Sequence, residues 1–209
     1  MMTPGAHEFE VVASKDRYVG PVFAVRSDEV TMPGGGTAIR DVVENHGAVV
    51  IVALDADEHV VLIHQYRHPV RRRLWELPAG LLDVPGEDPL LAAQRELAEE
   101  TGLAAARWDL LIDVAASPGF SEETARVFLA RELSEVDRPE VTGDEEADLE
   151  IRRVPLTEAL NWVLAGEILN GASVGGILAT HAVLSGTVEL RPADSPWRDR
   201  PTHFPARKA

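Results

Sequence analysis

Residues 88–102 constrain this chain more than any other stretch. Asp88 is a good N-cap residue, Pro89 sits at the first helical position, where proline is best tolerated, and Gly102 is a stop signal. One helix is therefore expected over about 89–101. At about 100° per residue, Glu99 and Glu100 fall roughly −60° and +40° from Glu96, so three carboxylates share one face. Leu90, Ala93, Leu97 and Thr101 form an apolar edge beside them. Like charges at i, i+4 cost about 0.2–0.5 kcal/mol even when exposed. Arg95, four residues before Glu99, offsets part of that cost. The helix pattern by itself fits a solvated face with three glutamates. It also fits a site for hard divalent cations, which take oxygen ligands.

The rest of the chain is organised around that helix. Residues 1–45 read as a small β element, with extended runs at Tyr18–Val30 and Thr37–Val43 and a turn at Pro33–Gly36. Two or three strands are too few to stand alone, so this piece must pack on the main domain or on a partner subunit. From His46 the pattern changes. Ala48–Leu54 is a β-branched apolar run, read as a buried strand, and Asp55–His59 is a turn. Further strands are expected at Val60–Tyr66, Leu110–Ala115, Ala125–Ala130 and Leu149–Val154, with helices over about 157–166 and 173–184. The tail from Arg191 is proline-rich and reads as irregular. Strands and helices interleave without a steady βαβα rhythm, which favours an α+β fold with a mixed sheet. The expected division is an N-terminal β domain (1–45), a main domain (46–190) and a C-terminal tail (191–209).

Composition narrows the function. The chain has 20 Lys and Arg against 35 Asp and Glu, a net charge of −15. Such a surface repels nucleic-acid phosphates and anionic membranes. There is no cysteine, which excludes disulfides, thiolate metal sites and cysteine nucleophiles. The longest apolar run, Ala48–Leu54, is far shorter than the ~20 residues of a membrane-spanning helix. The N-terminus has neither the basic nor the apolar region of a leader, and the protein is read as soluble and cytoplasmic.

From Glu87 the chain fits E-x7-R-E-U-x-E-E-x-G-U, with U aliphatic, through Glu87, Arg95, Glu96, Leu97, Glu99, Glu100, Gly102 and Leu103. This resembles the box of the Nudix hydrolase family. The one departure is a loop with six residues between Gly80 and Glu87 where the usual box has five. The extra residue is placed in the Asp83–Gly86 loop, outside the helix. The resemblance implies a mixed sheet sandwiched between helices, with the box as loop–helix–loop, and hydrolysis of a nucleoside diphosphate linked to another group. It implies Mg²⁺, with Mn²⁺ as a substitute, held by Glu96, Glu99, Glu100 and the Ala79 carbonyl. Arg95 is expected to orient a glutamate, and Glu87 to support the loop.

Ser117-Pro118-Gly119-Phe120, Gln65-Tyr66-Arg67, Leu74–Gly80 and the N-terminal β piece resemble the ADP-ribose pyrophosphatase subfamily, particularly its mycobacterial type. That resemblance implies substrate contacts at Arg67, Glu76, Pro118 and Phe120. It implies a glutamate on a later loop acting as general base or extra ligand, with Glu146 the first choice and Glu145 the second. It also implies a homodimer built through residues 1–45. Alternatives kept open are hydrolysis of another nucleoside diphosphate sugar or NADH and, more remotely, a non-catalytic nucleotide sensor. The basic residues Arg71 and Arg72 read as a solvated turn, and His46, His64 and His181 as structural residues.

Overall fold

A computed structural model of the 209-residue chain describes residues 7–138, 149–186 and 188–208. In chain order the elements are β1 (Val11–Val19), β2 (Phe23–Thr31), β3 (Thr37–Asn45), β4 (Ala48–Ala53), β5 (His59–Arg67), β6 (Arg72–Glu76) and β7 (Ala79–Leu81). Helix α1 (Pro89–Thr101), β8 (Leu103–Ala115), β9 (Thr124–Glu135) and β10 (Glu150–Pro155) follow. Helices α2 (Leu156–Ala165) and α3 (Gly171–Leu184), β11 (Arg191–Pro192) and α4 (His203–Lys208) complete the order.

The chain divides into two compact units. The larger comprises residues 47–114 and 124–199. Its five-stranded sheet has the order β11-β8-β9-β4-β7. Strands β4 and β9 run parallel, with Ala48 opposite Ala125 and Ala53 opposite Ala130, while β7 and β11 pair antiparallel with their neighbours. The sheet is therefore mixed, as expected. A second, three-stranded sheet has the order β10-β5-β6.

The apolar run of β4 shows why it lacks polar alternation. Val50 and Val52 pack with Leu156 and Ala159 of α2 and Ile177 of α3. Val49, Ile51 and Ala53 pack on the other side with Ala92, Ala93 and Leu97 of α1. Both faces are covered by helices, so alternate residues each enter a core. Burying each large aliphatic side chain contributes roughly 1.5–3 kcal/mol. The turn after β4 is closed by Asp55, whose Oδ1 accepts from the amides of Asp57 (3.0 Å) and His59 (2.8 Å).

The smaller unit comprises residues 1–46, 115–123 and 200–209. Strands β1, β2 and β3 form an antiparallel sheet, with the expected Pro33–Gly36 turn between β2 and β3. The extended run read over Tyr18–Val30 is two strands. It breaks at Gly20–Pro21, where Val19 pairs with Ala24. The tail expected to be irregular from Arg191 contains β11 and the short helix α4. Phe204 of α4 is fully buried, its ring 4.7 Å from that of His46. Arg71 and Arg72, read as a solvated turn, divide between a left-handed turn residue and the start of β6. No helix among the described residues is long and apolar enough to cross a membrane.

Candidate active site

Helix α1 begins and ends where its sequence signals place it. The Asp88 side chain accepts from the Leu90 amide at 2.9 Å, and Gly102 adopts a left-handed φ of 68° while its amide bonds Ala98 O. Ala92, Ala93 and Leu97 fix the rotation of the helix by entering the core. That rotation turns Glu96 and Glu100 toward the short strand β7. Glu100 is buried, and its Oε2 accepts from the Ala79 amide at 2.9 Å. Glu96 lies directly over Gly80: a Cβ at that position would come within 2.0 Å of the Glu96 carboxyl carbon. Only a residue without a side chain allows this approach.

Arg95 holds the acidic cluster together. Its Nε and Nη2 donate to the two oxygens of Glu87, each at 3.1 Å, in a bidentate pair. Its Nη1 donates to Glu96 Oε1 at 2.8 Å and to Glu99 Oε2 at 2.9 Å. These acids hold the guanidinium above its ordinary pKa. The pair with Glu87 ties the loop ahead of α1 to the helix. The loop ahead of α1 ends in a turn at Val84–Glu87, where the Glu87 amide bonds Val84 O at 3.2 Å.

Burial pushes the Glu96 carboxyl up to about 7, with the charges of Glu99 and Asp83 adding to the rise and Arg95 opposing it. Among the described residues no three acidic or histidine side chains already form a closed metal cage. The donor set nevertheless suits a hard cation. Glu96 and Glu100 offer carboxylate oxygens beside β7, Glu99 is tied to Glu96 through Arg95, and burial drives Glu96 toward the neutral form, which a cation would reverse.

At the end of β5, Arg67 donates from Nη2 to Glu76 Oε2 at 2.7 Å, and Gln65 Nε2 reaches the same oxygen at 3.3 Å. Glu76 is only 1% exposed, whereas the Arg67 side chain is 41% exposed. Glu76 therefore holds the arginine from beneath. Trp75 stacks on His64 at 4.4 Å on the neighbouring positions of the same sheet. Pro118 and Phe120 belong to the smaller unit, on an exposed turn in which the Phe120 and Ser121 amides both bond Ser117 O. Glu145 and Glu146 lie outside the described residues. Sequence reasoning missed two features here, the close approach at Gly80 and the charge of Asp83 beside Glu96. The first had a signal in the glycine that opens the box.

A family model described as the NUDIX domain matches residues 44–170, more than half of the chain. The chain belongs to the Nudix family. This Nudix protein is 52% identical over 203 residues to the ADP-ribose pyrophosphatase of Mycobacterium tuberculosis, covering 97% of this chain and 98% of that protein. It is 33% identical over 168 residues to the methanol dehydrogenase activator of Bacillus methanolicus, covering 80% of this chain and 89% of that protein. Among solved structures, the crystal structure of an ADP compounds hydrolase superposes with a TM-score of 0.77 at 23% identity, over 89% of this chain and all of that one. That likeness shows a Nudix fold, as the box implied. Nudix hydrolases generally need divalent cations, and the oxygen donors around Gly80 fit one.

Proposed function

We propose that the protein is a metal-dependent hydrolase of ADP-ribose, yielding AMP and ribose 5-phosphate. The observation that carries this reading is similarity over nearly the whole chain, N-terminal sheet included, to a protein named ADP-ribose pyrophosphatase. Glu96, Glu99, Glu100 and the Ala79 carbonyl would hold Mg²⁺, with Mn²⁺ as a substitute. A divalent cation there supplies charge for the diphosphate and a more acidic water. Arg95 keeps the glutamates in register and Glu87 anchors Arg95. Arg67, steadied by Glu76, donates to the substrate diphosphate. Pro118 and Phe120 contact the rest of the nucleotide. Glu146, or Glu145 in its place, takes the proton of the attacking water.

The same reading makes the protein a cytoplasmic homodimer acting on a small nucleotide. Its charge of −15 keeps it off nucleic acid and anionic membranes. The test compares kcat/KM for ADP-ribose, GDP-mannose, NADH and diadenosine polyphosphates with and without Mg²⁺. ADP-ribose should lead the panel, and chelation should abolish turnover. A better sugar nucleotide or NADH would overturn the substrate while leaving a hydrolase. Metal-independent turnover would overturn the site.

A further inference from the structure

The turn that carries Pro118 and Phe120 is fixed by an unusual number of groups for a surface loop. Within it, the amides of Phe120 and Ser121 bond Ser117 O at 3.1 and 3.0 Å. On its far side, the Val43 amide donates to Phe120 O at 2.8 Å and the Glu122 amide donates to Val43 O at 3.0 Å, so the segment adds a short parallel bridge to β3. The Ser121 hydroxyl accepts from the Glu123 amide at 3.1 Å. The backbone is tied by these hydrogen bonds, yet Phe120 is 59% exposed. A large aromatic held out in water by a tied backbone is already arranged to cover a flat ligand face, because little ordering remains to be done on binding.

The side chain that finishes this arrangement is Glu122. Its side chain is 17% exposed. Oε2 accepts from His203 Nδ1 at 2.8 Å and from Arg26 Nη1 at 3.4 Å, while Oε1 is buried without a hydrogen-bond partner. A buried carboxylate oxygen without a partner is costly, and the contacts of Oε2 with Arg26 and His203 offset that cost. Those two are themselves fixed. Arg26 donates to Asp28 at 2.9 Å and to Glu44 at 2.8 Å. Glu44 accepts in turn from Arg207, which also grips Asp16 through both terminal nitrogens. The relay begins and ends on α4, whose Phe204 is fully buried within the same unit.

We propose that Glu122, clamped between Arg26 and His203 of the C-terminal helix, is a positioning residue that holds the Ser117–Ser121 turn in the form that presents Phe120 to the nucleotide substrate. The proposal rests on the reading of Phe120 as a substrate contact. The C-terminal helix thereby sets affinity for the substrate while contributing no atom to the chemistry.

The test is steady-state kinetics on ADP-ribose with full-length Glu122→Ala, His203→Ala, Phe120→Ala and the double variant Phe120→Ala/Glu122→Ala. Glu122→Ala should raise KM about tenfold and leave kcat within about twofold, well inside the ~100-fold that a 1 Å misplacement can cost. His203→Ala should shift KM in the same direction by a smaller factor, and His203→Gln, which keeps an N–H donor, should recover most of it. His203 is 61% exposed, so its replacement tests the clamp even if Glu122→Ala does not fold. If Glu122 acts through the turn, its loss should add little once Phe120 has gone. Unchanged KM for Phe120→Ala would overturn the reading of Phe120 as a substrate contact. Raised KM for Phe120→Ala with unchanged KM for Glu122→Ala and His203→Ala would overturn the positioning role alone. A fall in kcat equal to the rise in KM, with no rescue by glutamine, would also overturn it.

Discussion

One methyl group at position 80 separates structure from chemistry at this site. The Cβ of Gly80→Ala would collide with the end of the Glu96 side chain, which is flexible, so the fold can absorb the change by swinging the carboxylate away. The carboxylate would then leave the position from which it is proposed to hold a cation. We expect Gly80→Ala to lower kcat by about 100-fold while thermal stability changes little. Glu96→Gln and Glu100→Gln, which remove charge and keep shape, should show the same split, and thermal unfolding beside initial rates measures it. Normal turnover in any of the three would move the cation elsewhere. Glu87→Gln should cost much less, because Glu87 is joined to the cluster through Arg95 rather than placed beside Gly80.

At the scale of elements, α4 shows how a short helix can be secured by charge. Glu44 is fully buried on β3, and its hydrogen bonds from Arg207, then Arg26, push it down to about 2 from an ordinary 4.5. A carboxylate with a lowered folded-state pKa contributes its stability fully above the unfolded value and loses it as the pH falls through the folded one. The wild-type protein should therefore lose stability between about pH 4.5 and pH 2. Arg207→Ala should lower thermal stability at pH 7, since the buried carboxylate loses one of its two guanidinium partners and keeps Arg26. The variant should also lose less than the wild type over the acid window. Parallel acid titrations followed by circular dichroism would show this, and equal acid slopes would refute it. The same elements mark the limit of sequence reading. Strand β4 and helix α1 were legible because apolar burial on two faces and explicit caps leave local traces. Strand β1 was not, because all nine of its residues are exposed and no alternation survives. Strand β6 was hidden by Arg72 and Arg73, which sit outward beside β5. Helix α4 is six residues long and is held by Phe204 and Arg207 through partners far away in sequence. At the site, the spacing of the glutamates was legible. The bridging of three of them by Arg95 needed the loop geometry.

At the scale of the whole molecule, the N-terminal sheet gathers large apolar side chains that are exposed to solvent. Strand β1 lies at its edge, and Phe9, Val11, Tyr18, Val19 and Ile39 are each about half exposed or more. Edge strands bearing apolar residues invite pairing with another chain, and exposed apolar groups of this extent mark interaction surfaces. A second copy of the chain is the partner proposed above, and a two-fold interface would use the same patch on both subunits. Deleting residues 1–45 outright is a poor test, because Arg207 of α4 would lose its partners Glu44 and Asp16. Point changes are cleaner. Val11→Asp and Ile39→Asp each place a charge on the exposed sheet without disturbing a core position. If this sheet forms the dimer, either change should convert the protein to a monomer in sedimentation velocity at micromolar concentration. If the partner's sheet also helps to bind the nucleotide, KM for ADP-ribose should rise with the loss of the dimer while every box glutamate remains in place. A variant that dissociates with unchanged KM would keep the dimer and sink the shared site. A wild-type protein that sediments as a monomer would sink both.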